Sequence, residues 1–327
     1  VMTFERFDDY YYQPDNGFPE DKRPNFQSLD MYLVPEEATR VAALRSGEAD
    51  IVPASVASKE QVEAGGGRLV FSEESAIIES HLWGCWKPQF PCSDQRVRQA
   101  LNYTVDKELM RDRLFGGPEV MEIKGYWVVT PSTIGYSPEL APFPYDPDKA
   151  RQLLADAGYP GGEGFGKLIV NTEPSSAVPF QVESAQLAAD MWRRELGLDV
   201  EVRVSDRTGN KTMEQGGEMR GQVYWRDNEA RIDAASNVSG NYADPEAPDR
   251  LADDPELLRL VQETSHILDA DKRAEASKKL YQRLREESYE LSVGYTNIPW
   301  GVGPRVLTWK PYPLAPFVTA LHTLTLK

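Results

Sequence analysis

Two hydrophobic periods alternate along the chain, and each predicts its own elements. The helical period is clearest in "YDPDKARQLLADAGY". Asp146 stands at the cap, Pro147 takes the first position, Ala150, Leu153, Leu154 and Ala157 share one face, and Gly158 stops the run. "SDQRVRQALNYTVDKELM" has the same character, with Val97, Ala100, Leu101 and Val105 as its stripe and Ser93 as its cap. In "EEATRVAALRSG" the acids fall where the helix dipole favours them, Pro35 fits the first turn and Gly47 the stop. Three later helices are predicted: "VPFQVESAQLAADMWRRELG", "DDPELLRLVQETSHILD" with Asp254 before Pro255, and "ADKRAEASKKLYQRLREES" with Asp271 as cap.

The two-residue period marks strands. "LDVEVRV" sets Leu198, Val200, Val202 and Val204 against Asp199, Glu201 and Arg203. "SLDMYLV" alternates Leu29, Met31 and Leu33 in the manner of a half-buried strand. "ADIVPA", "GGGRLVFSEESAIIESHLWG", "KLIVNT", "YELSVGYTNI" and the tail "FVTALHTLTLK" also read as strands. Residues 118–145, with five prolines, read as a long ordered loop. The mixed order predicts an α/β fold.

Length and charge narrow the function. A chain of 327 residues suits about two domains. It has no run of eighteen apolar residues, so no spanning helix is encoded. A net charge of −16 argues against nucleic acid and anionic lipid as partners. Cys85 and Cys92 in "CWKPQFPC" are either a local disulfide, which needs an oxidising compartment, or two thiols. With His81 they make His-x3-Cys-x6-Cys, which lacks the second ligand pair of a zinc finger, so no metal site is expected. The first residues have neither a basic start nor an apolar run, so the protein is cytoplasmic or a leader is missing from this sequence.

Several segments together resemble solute-binding protein family 5, the oligopeptide-, dipeptide- and nickel-type receptors of ATP-driven importers. "ALRSGEADIV" resembles that family's Leu-x-x-Gly-Glu-hydrophobic-Asp turn. "SDQRVRQALNYTVDKELM" and "FPYDPDKARQLLADAGYP" are similar to two of its helices, and "ELGLDVEVRV" to a strand. The resemblance implies a type II, cluster C periplasmic-binding-protein-like fold of two lobes. Residues 1–90 would be part of lobe one with its N-terminal part missing, 91–297 the second main lobe, and 298–327 the return to lobe one. Glu48 and Asp50 then belong to a scaffold turn, with Glu48 paired to a base or to backbone N–H groups.

The same resemblance implies an extracytoplasmic receptor, a monomer without cofactor, that closes on a small solute and hands it to a membrane permease. Peptides are the family default, with sugar- and opine-type solutes as alternatives. Trp225 matches the family's cleft aromatic. Oligopeptide binders place an Asp three residues further on, but here that residue is Asn228 and the acid is Asp227. Arg226, Asp227, Glu229, Arg231 and Asp233 form either a solvated loop or a polar clamp beside Trp225. Tyr295 is a cleft or a core residue, and Trp83 and Trp86 flank the outgoing hinge.

Rival chemistry is thin. Asp227 and Glu229 at i, i+2 would suit a glycoside hydrolase only at the right carboxyl separation. "GGEGFG" follows a helix and precedes a strand, the reverse of a dinucleotide loop. His81, His266 and His322 sit in unrelated contexts, with His266 expected to pack in its helix beside Leu260, Val261 and Ile267.

Overall fold

The computed structural model describes residues 1–327 except 124–126, 176, 239–252 and 316, and except the side chains of 236, 237 and 292. Part of the proline-rich stretch therefore lies outside the described residues. Residues 1–73 with 297–327 form one compact unit, and residues 74–296 form another. The sequence had suggested passages after residues 90 and 297.

The smaller unit begins with a hairpin, β1 (Met2–Glu5) against β2 (Ser28–Met31). The strand predicted here is shorter than expected and is not half-buried. Leu33 lies beyond it at 94% exposure. Helix α1 (Glu37–Ser46) follows, starting two residues after Pro35. Gly47 ends it with a left-handed φ of 80°, a conformation that carries little cost only for glycine. Strand β3 (Ile51–Pro53) and helix α2 (Lys59–Ala64) complete a small core of Val41, Leu44, Val52 and Val62. Asp50, not Glu48, finds the base in this turn, with Arg305 Nη2 at 3.1 Å.

Strand β4 (Arg68–Leu82) leads into the larger unit. Helix α3 (Gln95–Thr104) is capped by Asp94, whose side chain accepts from the Arg96 N–H, rather than by Ser93. Its predicted stripe is the buried one: Val97, Ala100, Leu101 and Val105 are all 0% exposed. After α4 (Lys107–Met110) the proline-rich stretch contains a short strand, β5 (Met121–Glu122), and one 3-10 turn, Pro138–Leu140, among its described residues. Helix α5 (Pro147–Asp156) starts as predicted, with Asp146 accepting from the Lys149 N–H.

An alternating segment follows: β6 (Lys167–Thr172), α6 (Gln181–Leu196), β7 (Asp199–Val204), α7 (Arg207–Gln215) and β8 (Val223–Asn228). Gly197 closes α6 against Gly161. A Cβ on Gly197 would come within 2.3 Å of the Gly161 carbonyl oxygen, so no other residue fits without moving a loop. Next come α8 (Ala235–Val238), α9 (Pro255–Ser265) and α10 (Ala270–Glu287), the last capped by Asp269 rather than Asp271. His266 lies past the end of α9 and is exposed, so it does not pack as expected.

Strand β9 (Glu290–Val302) returns to the smaller unit, where it pairs with β3. There Trp300, Val302, Val306, Trp309 and Leu324 form a second core. The tail is mostly irregular; only β11 (Thr325–Leu326) pairs, with β10 (Val306–Thr308).

Within the larger unit the strand order is β9-β4-β8-β6-β7, with β5 on β9. Strand β6 runs parallel to both β7 and β8, and β8 antiparallel to β4. A disulfide joins Cys85 to Cys92, and Arg98 binds this loop to α10. Its guanidinium is buried and donates to the Cys92, Ser93 and Glu287 carbonyls at 3.0, 2.9 and 2.8 Å.

Candidate functional site

The chain leaves β6 through α6 to β7 on one side, then returns through α7 to β8 on the other. Such a reversal is where α/β sheets bind ligands, beyond the carboxyl ends of the strands. Glu173 follows the last residue of β6, Arg207 opens α7, and Asp227 and Asn228 end β8.

The register assigns faces. Glu79 pairs with Arg226 and His81 with Tyr224, so these four side chains share one face. Ser80 pairs with Trp225 and Ile78 with Asp227 on the other. Asp227 and Asn228 are therefore on opposite faces, and the one-residue offset from the peptide-binder pattern reverses the acid's direction.

On the first face the groups are closely knit. Tyr224 donates its hydroxyl to Glu173 Oε1 at 2.9 Å, and Asn210 donates to Glu173 Oε2 at 2.6 Å. Burial pushes the Glu173 carboxyl above its ordinary range against the pull of these donors. Arg226 reaches Glu214 at 3.3 Å. Burial works against its charge, but Glu79 and Glu214 outweigh that and hold its proton more firmly than usual. Asn228 donates to Glu79 Oε1 at 2.9 Å. Burial alone would raise Glu79, yet His81, Arg226 and Asn228 together bring it below its ordinary value.

On the second face Trp225 is 0% exposed. Its indole N–H donates to Ser184 Oγ at 2.8 Å on α6. Asp227 meets Arg207 Nη1 at 3.1 Å, with the Arg207 side chain 60% exposed.

Of the remaining predicted residues, Trp83 meets the first face through His81 and the others lie elsewhere. Tyr295 is buried on β9, opposite Glu122. Trp83 is buried with its ring 5.3 Å from that of His81. Trp86 is half-buried in the disulfide loop, with the Lys87 ammonium 5.2 Å above its ring. Glu229 lies past the end of β8, 3.7 Å from Arg231. Because Cys85 and Cys92 are bonded to each other, neither offers a thiolate to a metal.

Sequence reasoning missed Phe180. It sits at the start of α6, 49% exposed, with a left-handed φ of 60°. A bulky residue pays about 1–3 kcal/mol for such a backbone, and strain of this kind clusters at functional sites. Its neighbour Gln181 donates to the Glu173 carbonyl at 2.8 Å, which ties it to the same strand end. The only sequence signal was an apolar residue at a helix start. A separate groove of about 400 Å³ between α9 and α10 is lined by mixed charges such as Glu263, Lys272 and Lys279, without convergent chemistry.

The mixed α/β architecture is that of periplasmic substrate-binding proteins. The fold of the substrate-binding protein CtaP from Listeria monocytogenes superimposes with a TM-score of 0.80 at 18% identity, covering 99% of this chain and 63% of that one. Residues 1–251 match the family described as bacterial extracellular solute-binding proteins, family 5 Middle, and the chain belongs to that family. It is 32% identical to a glutathione-binding protein of Pectobacterium atrosepticum over 139 residues, 42% of this chain and 26% of that protein. It is 30% identical to heme-binding protein A of Haemophilus influenzae over 141 residues, 43% of this chain and 25% of that protein. The matched stretches thus span about a quarter of these curated relatives' length.

Proposed function

We propose that the chain serves as the solute-binding component of an ATP-driven importer, outside the cytoplasm, and that it takes a small zwitterionic solute of the short-peptide class without altering it. The observation that carries this reading is the Asp227–Arg207 pair at the carboxyl ends of the strands. A carboxylate and an exposed guanidinium side by side match an ammonium and a carboxylate of one ligand. Phe180 offers an exposed ring at the same end of the sheet. The family and the glutathione-binding relative support the class of solute. Trp225 would act from behind by fixing β8, while Arg226 and Asn228 would set the charge beneath the ligand. Tyr295, Trp83 and Trp86 would then be scaffold. The passage to a membrane permease belongs to the same reading.

Calorimetry with glutathione and a set of di- and tripeptides tests it. One of them should bind, and Asp227→Asn, Arg207→Gln and Phe180→Ala should each weaken it about tenfold or more, over ~1.4 kcal/mol. Unchanged affinity in all three would overturn the site. Turnover of a bound solute, lost in Asp227→Asn, would overturn the reading of a receptor.

A further inference from the structure

We propose that Glu79, His81 and Glu290 form a site for one divalent transition ion of the zinc class, distinct from the solute site. Glu79 and His81 are two apart on β4 and share a face. Glu290 opens β9, the strand beside β4. Each side chain offers one ligand atom, and the three atoms lie within 4.8 Å of one another. His81 Nε2 is 2.9 Å from Glu79 Oε1 and 3.6 Å from Glu290 Oε2. Zinc with ligands at about 2.0–2.1 Å in a tetrahedron sets those ligands about 3.3–3.4 Å apart, and the two distances bracket that value.

The donor set is also right. One imidazole nitrogen with two carboxylate oxygens suits zinc and its neighbours rather than calcium or magnesium, which prefer oxygen alone. Three protein ligands leave a fourth position for water. A cavity of about 20 Å³ borders Glu290, between Asn102, Phe143 and Leu284, and is not lined by Glu79 or His81. That is room for one water molecule.

A second observation points to a missing partner. Glu79 is 0% exposed, and its Oε2 accepts no hydrogen bond. A buried carboxylate oxygen left this way costs at least about 1–3 kcal/mol, and buried charges are normally paired or bound to metal. Charge counting agrees. Among the described residues, Glu79, Glu290, Glu173 and Glu214 crowd this face, while the half-buried Arg226 among them is already engaged by Glu214. A dication here would supply the charge, and two-oxygen binding by Glu79 would bring its unpaired Oε2 onto the ion beside the Oε1 that faces His81.

The test uses the full chain, stripped with a chelator and dialysed against Zn2+ alone. The variant His266→Asn with His322→Asn leaves His81 as the sole imidazole, because the chain has three histidines. One equivalent of zinc should bind, the His81 imidazole signal in NMR should move, and substitution of Co2+ should give the absorption of a tetrahedral ion. Glu79→Gln and Glu290→Gln should each weaken binding at least tenfold. Folded protein that takes up no zinc overturns the proposal. So does one equivalent bound with the His81 signal unmoved, or full affinity in both glutamine variants. If those variants do not fold, the His81 signal in the two-histidine variant decides. None of these outcomes depends on which solute the protein carries.

Discussion

Trp225 sets its indole edge-on to that of Trp192, with ring centroids 6.4 Å apart and planes at 72°. This contact joins β8 to α6, and Trp192 carries it on to α3 by donating to the Leu101 carbonyl at 3.0 Å. The residue that resembled a ligand-stacking aromatic is thus enclosed in the larger unit's core.

Trp225→Ala should destabilise the protein by about 3–5 kcal/mol, the range for emptying a large core site. Trp225→Phe should cost less, about 1–3 kcal/mol, chiefly the lost bond to Ser184 and the hydroxyl it leaves buried. Urea unfolding followed by circular dichroism measures both. Native stability in Trp225→Ala would contradict this packing.

Lys107 gives a pH dependence of definite sign. Its ammonium donates to the Phe143 carbonyl at 2.9 Å, and burial pushes its pKa down to about 7. The unfolded chain keeps that proton up to about pH 10.4. Between those values the unfolded state binds more protons, so stability rises with pH, and the penalty is full below about pH 7. The full span is worth on the order of 4 kcal/mol. Lys107→Met should flatten the rise, even though it also loses contacts to carbonyls. Equal slopes in the two proteins between pH 7 and 10 would refute the assignment.

Asp254 caps α9 by accepting from the Glu256 and Leu257 N–H groups at 3.0 and 3.1 Å. It also accepts from Arg283 and from the Tyr289 hydroxyl. Burial would raise its pKa, but these donors bring it below the ordinary carboxylate value. Its stabilisation is therefore present above about pH 3.9 and is lost as pH falls through the lower folded value. Asp254→Ala should cost about 1–2 kcal/mol at neutral pH as a lost cap. Acid unfolding of Asp254→Asn should begin from a less stable protein and depend less on pH. Parallel acid curves would count against the role.

The disulfide closes a short loop. Chain-entropy reasoning gives it about 2–3 kcal/mol. Reduction, or Cys85→Ser with Cys92→Ser, should lower the unfolding midpoint accordingly. Two free thiols titrated in unfolded protein that was never reduced would disprove the bond.

Local chemistry was the legible part of the sequence. Asp146-Pro147 and Asp254-Pro255 mark helix starts, and the stripe Val97, Ala100, Leu101 and Val105 is the buried face. Caps slipped by one or two residues where two candidates compete, as at Ser93 and Asp94 or Asp269 and Asp271. Strand β2 kept its alternation but stays largely exposed, which a local period cannot reveal. Glu79 and Glu290 escaped notice for a related reason. They are far apart in sequence and meet only because β4 and β9 are neighbours. Phe180 was hidden because a left-handed backbone at a non-glycine residue, which it shares with Trp127 and Leu314 among others, is not written in residue identity.

Arg98 makes the redox state of one short loop matter at a distance. Two of its acceptors, Cys92 and Ser93, stand at the disulfide, and a third is the last residue of α10. A reductant acting on the sulfurs would loosen those acceptors and set a buried cation adrift beside Tyr289, over whose ring it now rests at 5.0 Å. Damage at the thiols should thus be felt where α10 hands over to β9, as faster amide exchange there than at α5. The bond protects a joint to which it does not itself belong.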